Sequence, residues 1–241
     1  MKVVAVMTRA AAADAPTSLP APAVPVAIPA GPKTRLAPVV PDAAHRAALQ
    51  RAMLADVIAA ARAVPDAIVR LAVTPAGTSH EAFSDLGILP AHVVDQKGDD
   101  LGARERALFQ DVFRRGARQV VIVGSDLPLL SAAIIAEAFD ALTADPGQVV
   151  IGPAHDGGYY LLGLAGPKVP DLFTGVRWGT RYALMDTLRR CEFASRRVTF
   201  LPMLHDVDEP GDLARLADHL ASMPEAAPHT AAALAVLGLV G

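Results

Sequence analysis

The sequence predicts one α/β domain, in which a mostly parallel but mixed sheet carries helices on both faces. Apolar strand-like runs alternate with amphipathic helical stretches along most of the 241 residues, which is the pattern of a parallel sheet with crossover helices. Residues 149–164 depart from it, because a short Asp-Gly-Gly loop separates two apolar runs and favours an antiparallel strand. No linker divides the chain, so we expect one domain over residues 1–222 and a tail over 223–241.

Composition excludes several classes of protein. With 52% hydrophobic and 20% charged residues, the chain has the make-up of a globular protein. A formal charge of −3 offers no basic surface for nucleic acid. The single cysteine, Cys191, excludes an intramolecular disulfide. No apolar stretch is long enough to span a membrane, so we expect a cytoplasmic protein. The sequence is also compatible with a homodimer.

The elements follow in order from the spacing of the apolar residues. Residues 1–7 suit a buried first strand and are too short for the apolar core of a signal peptide. Residues 8–30 carry five prolines between Pro16 and Pro29, which disfavours helix and central strand, so a long loop is expected. Periodicity predicts helices at 41–63, 80–86, 99–116, 131–142, 182–190 and 210–222, with Asp42 and Ser131 as N-caps of the first and fourth, and further strands at 68–73, 92–94, 119–123 and 198–202.

The segment around Asp156 is the most informative of the chain. A β-branched run ends in a loop with one carboxylate and the glycine pair Gly157 and Gly158, and Tyr159 opens the next apolar run. Glycines let a backbone approach a ligand closely, and the carboxylate can orient a hydroxyl or a metal. Asp-Gly is also a common hairpin turn, so this motif alone leaves both interpretations open.

Two other loops follow predicted strands. Lys33 and Arg35 stand two residues apart after the Pro-rich segment, where a point charge and a bidentate fork suit phosphate groups, although a solvated loop is equally compatible. Ser125 and Asp126 come directly after the strand at 119–123. In an α/β fold this places the carboxylate of Asp126 at the ligand crevice.

A third acidic site lies near the C-terminus. Asp206 and Asp208 alternate and project to one side of an extended chain, while Asp208 or Glu209 could cap the helix that starts near Pro210. Mg²⁺ needs only one or two carboxylates together with substrate phosphates. Asp126 and these acids, with Lys33 and Arg35, therefore suit a metal–phosphate transfer site.

Two further segments carry weaker signals. Gly98, Asp99 and Arg104 precede or begin a predicted helix, where a simple loop with an N-cap explains them as well as a ligand does. Trp178, close to Thr180, is the only tryptophan; its indole can stack on a base or a sugar, or anchor the core.

Six motifs together carry a family resemblance. They occur in the order K-T-R-L-A-P, G-D-D-L-G-A-R, G-S-D-L-P, G-P-A-H-D-G-G-Y-Y-L-L-G-L, L-F-T-G-V-R-W-G-T and D-V-D-E-P-G-D-L. The chain resembles the DUF2064 family, which is described as glycosyltransferases, some named for arsenosugar biosynthesis. It is more distantly similar to the guanylyltransferases of coenzyme F420 synthesis and to the molybdenum-cofactor nucleotidyltransferases.

The resemblance implies a Rossmann-like GT-A fold, that of the nucleotide-diphospho-sugar transferases. Lys33 and Arg35 would hold the nucleotide phosphates, aided by Gly98, Asp99, Arg104 and Ser125. Mg²⁺ (or Mn²⁺) would be bound by Asp126 and by Asp206, with Asp208 as the alternative. The acceptor or sugar would meet Asp156, Gly157, Gly158, Tyr159, Trp178 and Thr180, and the catalytic set would be Lys33, Arg35, Asp126 and Asp156. Residues 10–30 form an insertion relative to the family, which costs little stability but can reshape the nucleotide pocket.

Three functions are compatible with these residues. One is Mg²⁺-dependent glycosyl transfer from a nucleotide sugar to a small acceptor, to which the family description gives a slight preference. Another is nucleotidyl transfer from an NTP, GTP or CTP, to a small phosphorylated acceptor with release of pyrophosphate. The last is non-catalytic nucleotide binding, because a fold alone does not determine function.

Overall fold

A seven-stranded mixed sheet forms the centre of the molecule. The computed structural model describes residues 1–10 and 33–240; most of the predicted insertion at 10–30 lies outside this part of the chain. The strands are β1 (Lys2–Arg9), β2 (Ala67–Thr74), β3 (Val93–Asp95), β4 (Gln119–Gly124), β5 (Val149–Pro153), β6 (Tyr159–Ala165) and β7 (Val198–Phe200). They lie in the order β3-β2-β1-β4-β6-β5-β7.

Six α-helices surround the sheet in the described part of the chain. They are α1 (Ala43–Arg62), α2 (Leu101–Arg114), α3 (Ala132–Ala144), α4 (Ala183–Phe193), α5 (Pro210–Ser222) and α6 (Pro228–Val236). Apolar residues of α1 and α3 pack on one face of the sheet, and those of α2 and α4 pack on the other. Both faces are therefore covered, as the alternating pattern of the sequence predicts.

One strand runs against the others. β6 pairs antiparallel with both β4 and β5, while β1, β2, β3 and β4 pair in parallel and β7 is parallel to β5. The loop between β5 and β6 therefore emerges at the same edge of the sheet as the carboxyl ends of β1, β2 and β4. This confirms the mixed sheet expected from the motif around Asp156.

The last two helices belong to a third apolar cluster. In it, α5 and α6 pack against one side of α1 and against the segment Leu36–Val40. Asp56 of α1, which is buried, accepts hydrogen bonds from His229 N (3.0 Å), Thr230 N (2.8 Å) and Thr230 Oγ1 (2.6 Å) at the start of α6. It thus satisfies orphan N–H groups of that helix from another element. Residues 223–240 consequently pack as part of the main body.

Local signals account for most helix starts. Asp42 accepts from His45 N at 2.8 Å and Ser131 from Ile134 N at 3.3 Å, as the N-cap predictions require. Of the two acids proposed to cap the last predicted helix, Glu209 does so, in a capping box with Asp212. Residues 80–86 form a 3₁₀ helix, and the helix predicted at 99–116 begins later, at Leu101, with Asp100 as its N-cap.

Candidate active site

A cavity of about 590 Å³ opens where the carboxyl ends of the parallel strands meet the β5–β6 loop. This is the edge at which α/β sheets bind ligands. Four arginines and four aspartates line it, namely Arg9, Arg35, Arg104, Arg181, Asp126, Asp156, Asp206 and Asp208. Charges of both signs in one cleft suit a ligand that carries phosphates and a cation.

Asp126 follows β4 at the floor of the cavity, and its carboxylate is already engaged. Lys33 Nζ lies 2.7 Å from Asp126 Oδ2 and 3.3 Å from Asp208 Oδ1, and donates to Val207 O at 2.5 Å. The Lys33 side chain is only 3% exposed. Lys33 therefore sits among the acids and is absent from the cavity wall, so its role in phosphate binding stays a prediction.

Arg35 has the opposite placement. Its side chain is 68% exposed and lines the cavity, while Nη1 donates to Asp208 Oδ2 at 2.8 Å. Both carboxylate oxygens of Asp208 thus face cations of the loop at 33–36. Arg35 remains available to phosphates, whereas Asp208 is largely neutralised.

Asp206 lies on the cavity wall, and no cation among residues 1–10 and 33–240 forms an ion pair with it. Burial, and then the carboxylate of Asp156, raise the pKa of Asp206 to about 6. Asp126 and Asp206 both line the cavity and offer it hard oxygen donors. Within the described residues, no three His, Cys, Asp or Glu side chains lie close enough to form a complete metal site. Two carboxylates fit Mg²⁺, which takes its other ligands from water and substrate phosphates.

The β5–β6 loop is held by its own hydrogen bonds. Gly158 N donates to Asp156 Oδ1 at 2.7 Å, and Ala154 N donates to Gly158 O at 3.1 Å. Gly157 has φ of +89°, and a Cβ there would lie 2.3 Å from the carbonyl oxygen of Arg181. The glycine is therefore required by both backbone conformation and close packing.

The loop that touches Gly157 carries Trp178, Thr180 and Arg181, which all line the cavity. It is fixed by Arg177, whose Nε and Nη2 donate to Asp186 of α4 at 2.7 and 2.8 Å. This bidentate pair lowers the pKa of Asp186 to about 2.

Below this loop lies a buried acid that sequence reasoning did not single out. Glu105 of α2 accepts a hydrogen bond of 2.6 Å from Tyr159 Oη, and burial raises its pKa to about 8. Tyr159 in turn meets Trp178 edge-on, with ring centroids 6.2 Å apart. The sequence does contain a signal for this residue, because Glu105 falls on the same helical face as the apolar residues Leu101, Leu108 and Val112.

Uncharged polar residues line the cavity beside Arg9. They are Thr8, Gln50 and Gln96, and Gln50 Nε2 donates to Arg9 O at 3.3 Å. Thr8 Oγ1 and Gln50 Oε1 are buried and have no hydrogen-bond partner among residues 1–10 and 33–240. Of the residues predicted from the sequence, Ser125, Tyr159, Trp178 and Thr180 line the cavity, whereas Gly98 and Asp99 do not; Gly98 O accepts from Arg104 Nε at 3.0 Å.

The fold is GT-A-like, that of the nucleotide-diphospho-sugar transferases. A crystal structure from Desulfovibrio desulfuricans G20, described as a nucleotide-diphospho-sugar transferase, matches with a TM-score of 0.79 and 27% identity, over 98% of this chain and 94% of the other. A cytidylyltransferase of Leptospira borgpetersenii matches with a TM-score of 0.59 and 11% identity, over 98% of this chain and 93% of the other, and shows the fold alone.

The chain belongs to the DUF2064 family, described as an uncharacterized protein conserved in bacteria, whose profile matches residues 57–180, just over half of the sequence. It is also 34% identical over 143 residues to a phosphoenolpyruvate guanylyltransferase of Roseiflexus sp. (strain RS-1). That match covers 57% of this chain and 58% of the relative. All three named relatives are transferases. No helix among the described residues is long and apolar enough to cross a membrane.

Proposed function

We propose that the protein is a Mg²⁺-dependent transferase that uses a nucleotide donor and moves a nucleotidyl group to a small anionic acceptor. The observation that carries the proposal is the lining of the cavity, where Asp126, Asp206 and Arg35 supply two carboxylates and a cation. Arg181 shares a loop with Trp178, whose indole lies against Gly102 of the helix that also carries Arg104. Donor phosphates and a metal suit the first set, and a negatively charged acceptor suits the two arginines, which we take as the acceptor end.

Uncharged polar residues of the lining support a nucleoside. Thr8, Gln50 and Gln96 line the cavity beside Arg9, and their side chains carry hydrogen-bond donors and acceptors. A base carries the complementary donors and acceptors. Base, phosphates and acceptor would then lie in sequence along one cleft.

Each group has a role in the transfer. Arg35 would neutralise the β- and γ-phosphates, and Arg104 and Arg181 would hold the acceptor so that its oxygen faces the α-phosphorus. A bond forms between that oxygen and phosphorus while the bond to pyrophosphate breaks. A bound Mg²⁺, held by Asp126 and Asp206, would stabilise the charge that develops on the phosphates. Because an ionised phosphate oxygen attacks without losing a proton, no general base is needed.

Asp156 has a supporting role in this scheme. One of its oxygens is used by Gly158 N, so the carboxylate fixes the β5–β6 loop and faces the acceptor end. In this proposal Asp156 positions the β5–β6 loop, and the catalytic and acceptor-binding roles that the family resemblance implies for it stay predictions.

Glycosyl transfer is the second candidate. Tyr159 and Trp178 line the acceptor end, where aromatic faces can pack on a sugar. The Desulfovibrio protein, which aligns over 94% of its length, is described as a nucleotide-diphospho-sugar transferase. The diphosphate of a nucleotide sugar would bind to the same metal ion and to Arg35.

One pair of assays separates the candidates. Pyrophosphate release is followed with each NTP, Mg²⁺ and a panel of phosphorylated and carboxylated three-carbon acceptors. Release of nucleoside diphosphate is followed with nucleotide sugars. Acceptor-dependent pyrophosphate release that disappears in Asp126→Asn supports the proposal. Diphosphate release from a nucleotide sugar, with no pyrophosphate from any NTP, replaces it with glycosyl transfer. Nucleotide binding without either product supports a binding protein.

A further inference from the structure

Lys33 is held in a cage of oxygens. Its ammonium contacts Asp126 Oδ2 at 2.7 Å, Asp208 Oδ1 at 3.3 Å and Val207 O at 2.5 Å. These three acceptors match the three N–H donors of an ammonium group. The side chain is 3% exposed, so water contributes little to solvating this charge.

The backbone supports the same contact. Lys33 has φ of 55°, in the left-handed region that residues other than glycine rarely adopt. Leu36 N donates to Lys33 O at 2.9 Å, which closes the 3₁₀ turn that follows. An uncommon conformation persists where its surroundings stabilise it. Here the surroundings are the two carboxylates and the Val207 carbonyl.

We propose that Lys33 is a positioning residue for Asp126 that takes the place of the divalent cation in the metal-free protein. It thereby makes metal binding depend on the donor phosphates. The inference rests on the proposed function, because it assigns Asp126 to the metal. It differs from the sequence expectation, in which Lys33 serves only as a phosphate ligand.

Electrostatics gives the reason. Asp126 is the acid that both cations need, and an ammonium and a divalent ion on one carboxylate repel each other. Lys33 therefore weakens the binding of a metal to Asp126 for as long as it stays on that carboxylate. A buried ammonium leaves its oxygen acceptors readily only if another anion binds it.

Donor phosphates can be that anion. Arg35 stands two residues from Lys33 and faces the cavity, so phosphates bound by Arg35 lie beside the loop of Lys33. Phosphate binding then frees Asp126, and metal and phosphates favour each other's binding. Such coupling is reciprocal between the two ligands.

The test compares Lys33→Met with wild type, using Mn²⁺ as the probe. Mn²⁺ alone is titrated by electron paramagnetic resonance, and a preformed Mn²⁺–tripolyphosphate complex by calorimetry. In Lys33→Met we expect Mn²⁺ alone to bind at least about tenfold tighter, and the complex to bind several-fold weaker. Effects of opposite sign are not produced by general damage to the fold.

Lys168→Met is the matched control. Lys168 follows β6, whose last residue Ala165 pairs with Gln119 at the start of β4, and so lies at the edge of the sheet opposite Asp126. The Lys168→Met substitution removes the same charge. The affinities for Mn²⁺ alone and for the Mn²⁺–tripolyphosphate complex should both stay at wild-type values. Circular dichroism melts check folding; if Lys33→Met does not fold, Lys33→Gln replaces it, since it keeps an N–H donor for Val207 O.

Mn²⁺ affinity that is unchanged or weaker in the folded variant overturns the role of Lys33. Failure of the proposed function looks different: wild type would then bind neither Mn²⁺–tripolyphosphate nor any Mn²⁺–NTP complex. The comparison with Mn²⁺ alone decides the Lys33 inference in either case.

Discussion

Two cations of one short loop have different surroundings. Arg35 is 68% exposed and faces the cavity, whereas Lys33 is 3% exposed and faces the acids. The sequence predicts that both cations bind phosphates, and this role stays a prediction. It does not predict their separate targets, because these depend on Val207 and Asp208, which lie more than 170 positions further along the chain.

Gly157 permits a direct test at the residue scale. Gly157→Ala should destabilise the protein and lower kcat/KM at least about tenfold, because a Cβ would clash with Arg181 O and displace the loop of Trp178. Gly175→Ala is the control, since Gly175 has φ of +76° but nothing within 4 Å of an added Cβ. Melting temperatures and steady-state kinetics of both variants are the measurement. Equal losses in the two variants would show that backbone strain alone is responsible.

Glu105 should make stability depend on pH. Its folded pKa, about 8, lies above the ordinary value of 4.5, so the folded protein retains a proton that the unfolded chain loses. Its contribution to stability is complete below pH 4.5 and declines as pH rises to about 8, by at most about 1.4 kcal/mol per pH unit.

Glu105→Gln removes the titration and keeps an acceptor for Tyr159 Oη. Thermal melts should show similar stability for variant and wild type near pH 5, and a variant that melts several degrees higher near pH 8. Glu225→Gln, which changes an exposed glutamate, should show no such pH dependence. A constant difference between Glu105→Gln and wild type from pH 5 to pH 8 would contradict the prediction.

At the scale of elements, periodicity predicted the helices that pack on the sheet, because each presents an apolar stripe to it. Asp42 and Ser131 predicted two helix starts correctly because capping is local. The insertion of β6 between β4 and β5 depends on long-range pairing, and the sequence indicated only that an antiparallel strand exists. The placement of Asp126 and Asp206 at one cavity followed from their positions after strands, whereas Glu105 was overlooked.

The contact of Asp56 with α6 is a second long-range feature. Asp56→Ala should lower the free energy of unfolding by about 2–3 kcal/mol, because it leaves Thr230 N and Oγ1 buried without an acceptor. Urea unfolding measures the change. Asp42→Ala removes an exposed N-cap from α1, the helix that also carries Asp56, and should lower the free energy of unfolding by less. Equal losses would show that Asp56 contributes no more than an ordinary exposed cap.

At the scale of the whole molecule, the proposed function assigns donor and acceptor to different parts of one cavity. Arg181→Met should raise KM for the acceptor about tenfold and leave nucleotide affinity unchanged, because the proposal places Arg181 at the acceptor end. Arg35→Met should weaken the nucleotide by a similar factor and leave the acceptor KM unchanged. Two-substrate kinetics and nucleotide titrations measure both effects. Both variants weakening the same ligand would show that donor and acceptor ends are assigned wrongly.

Cys191, which lies in α4 against the sheet, is 1% exposed, and burial raises the pKa of its thiol to about 11. It is the only cysteine in the chain. A thiol so shielded is alkylated only when α4 separates from the sheet. The labelling rate of this one sulfur atom therefore reports how often α4 opens, and α4 carries Asp186, which holds the loop of Arg177 and Trp178. Slower labelling with nucleotide and acceptor present would show how strongly the ligands close that face.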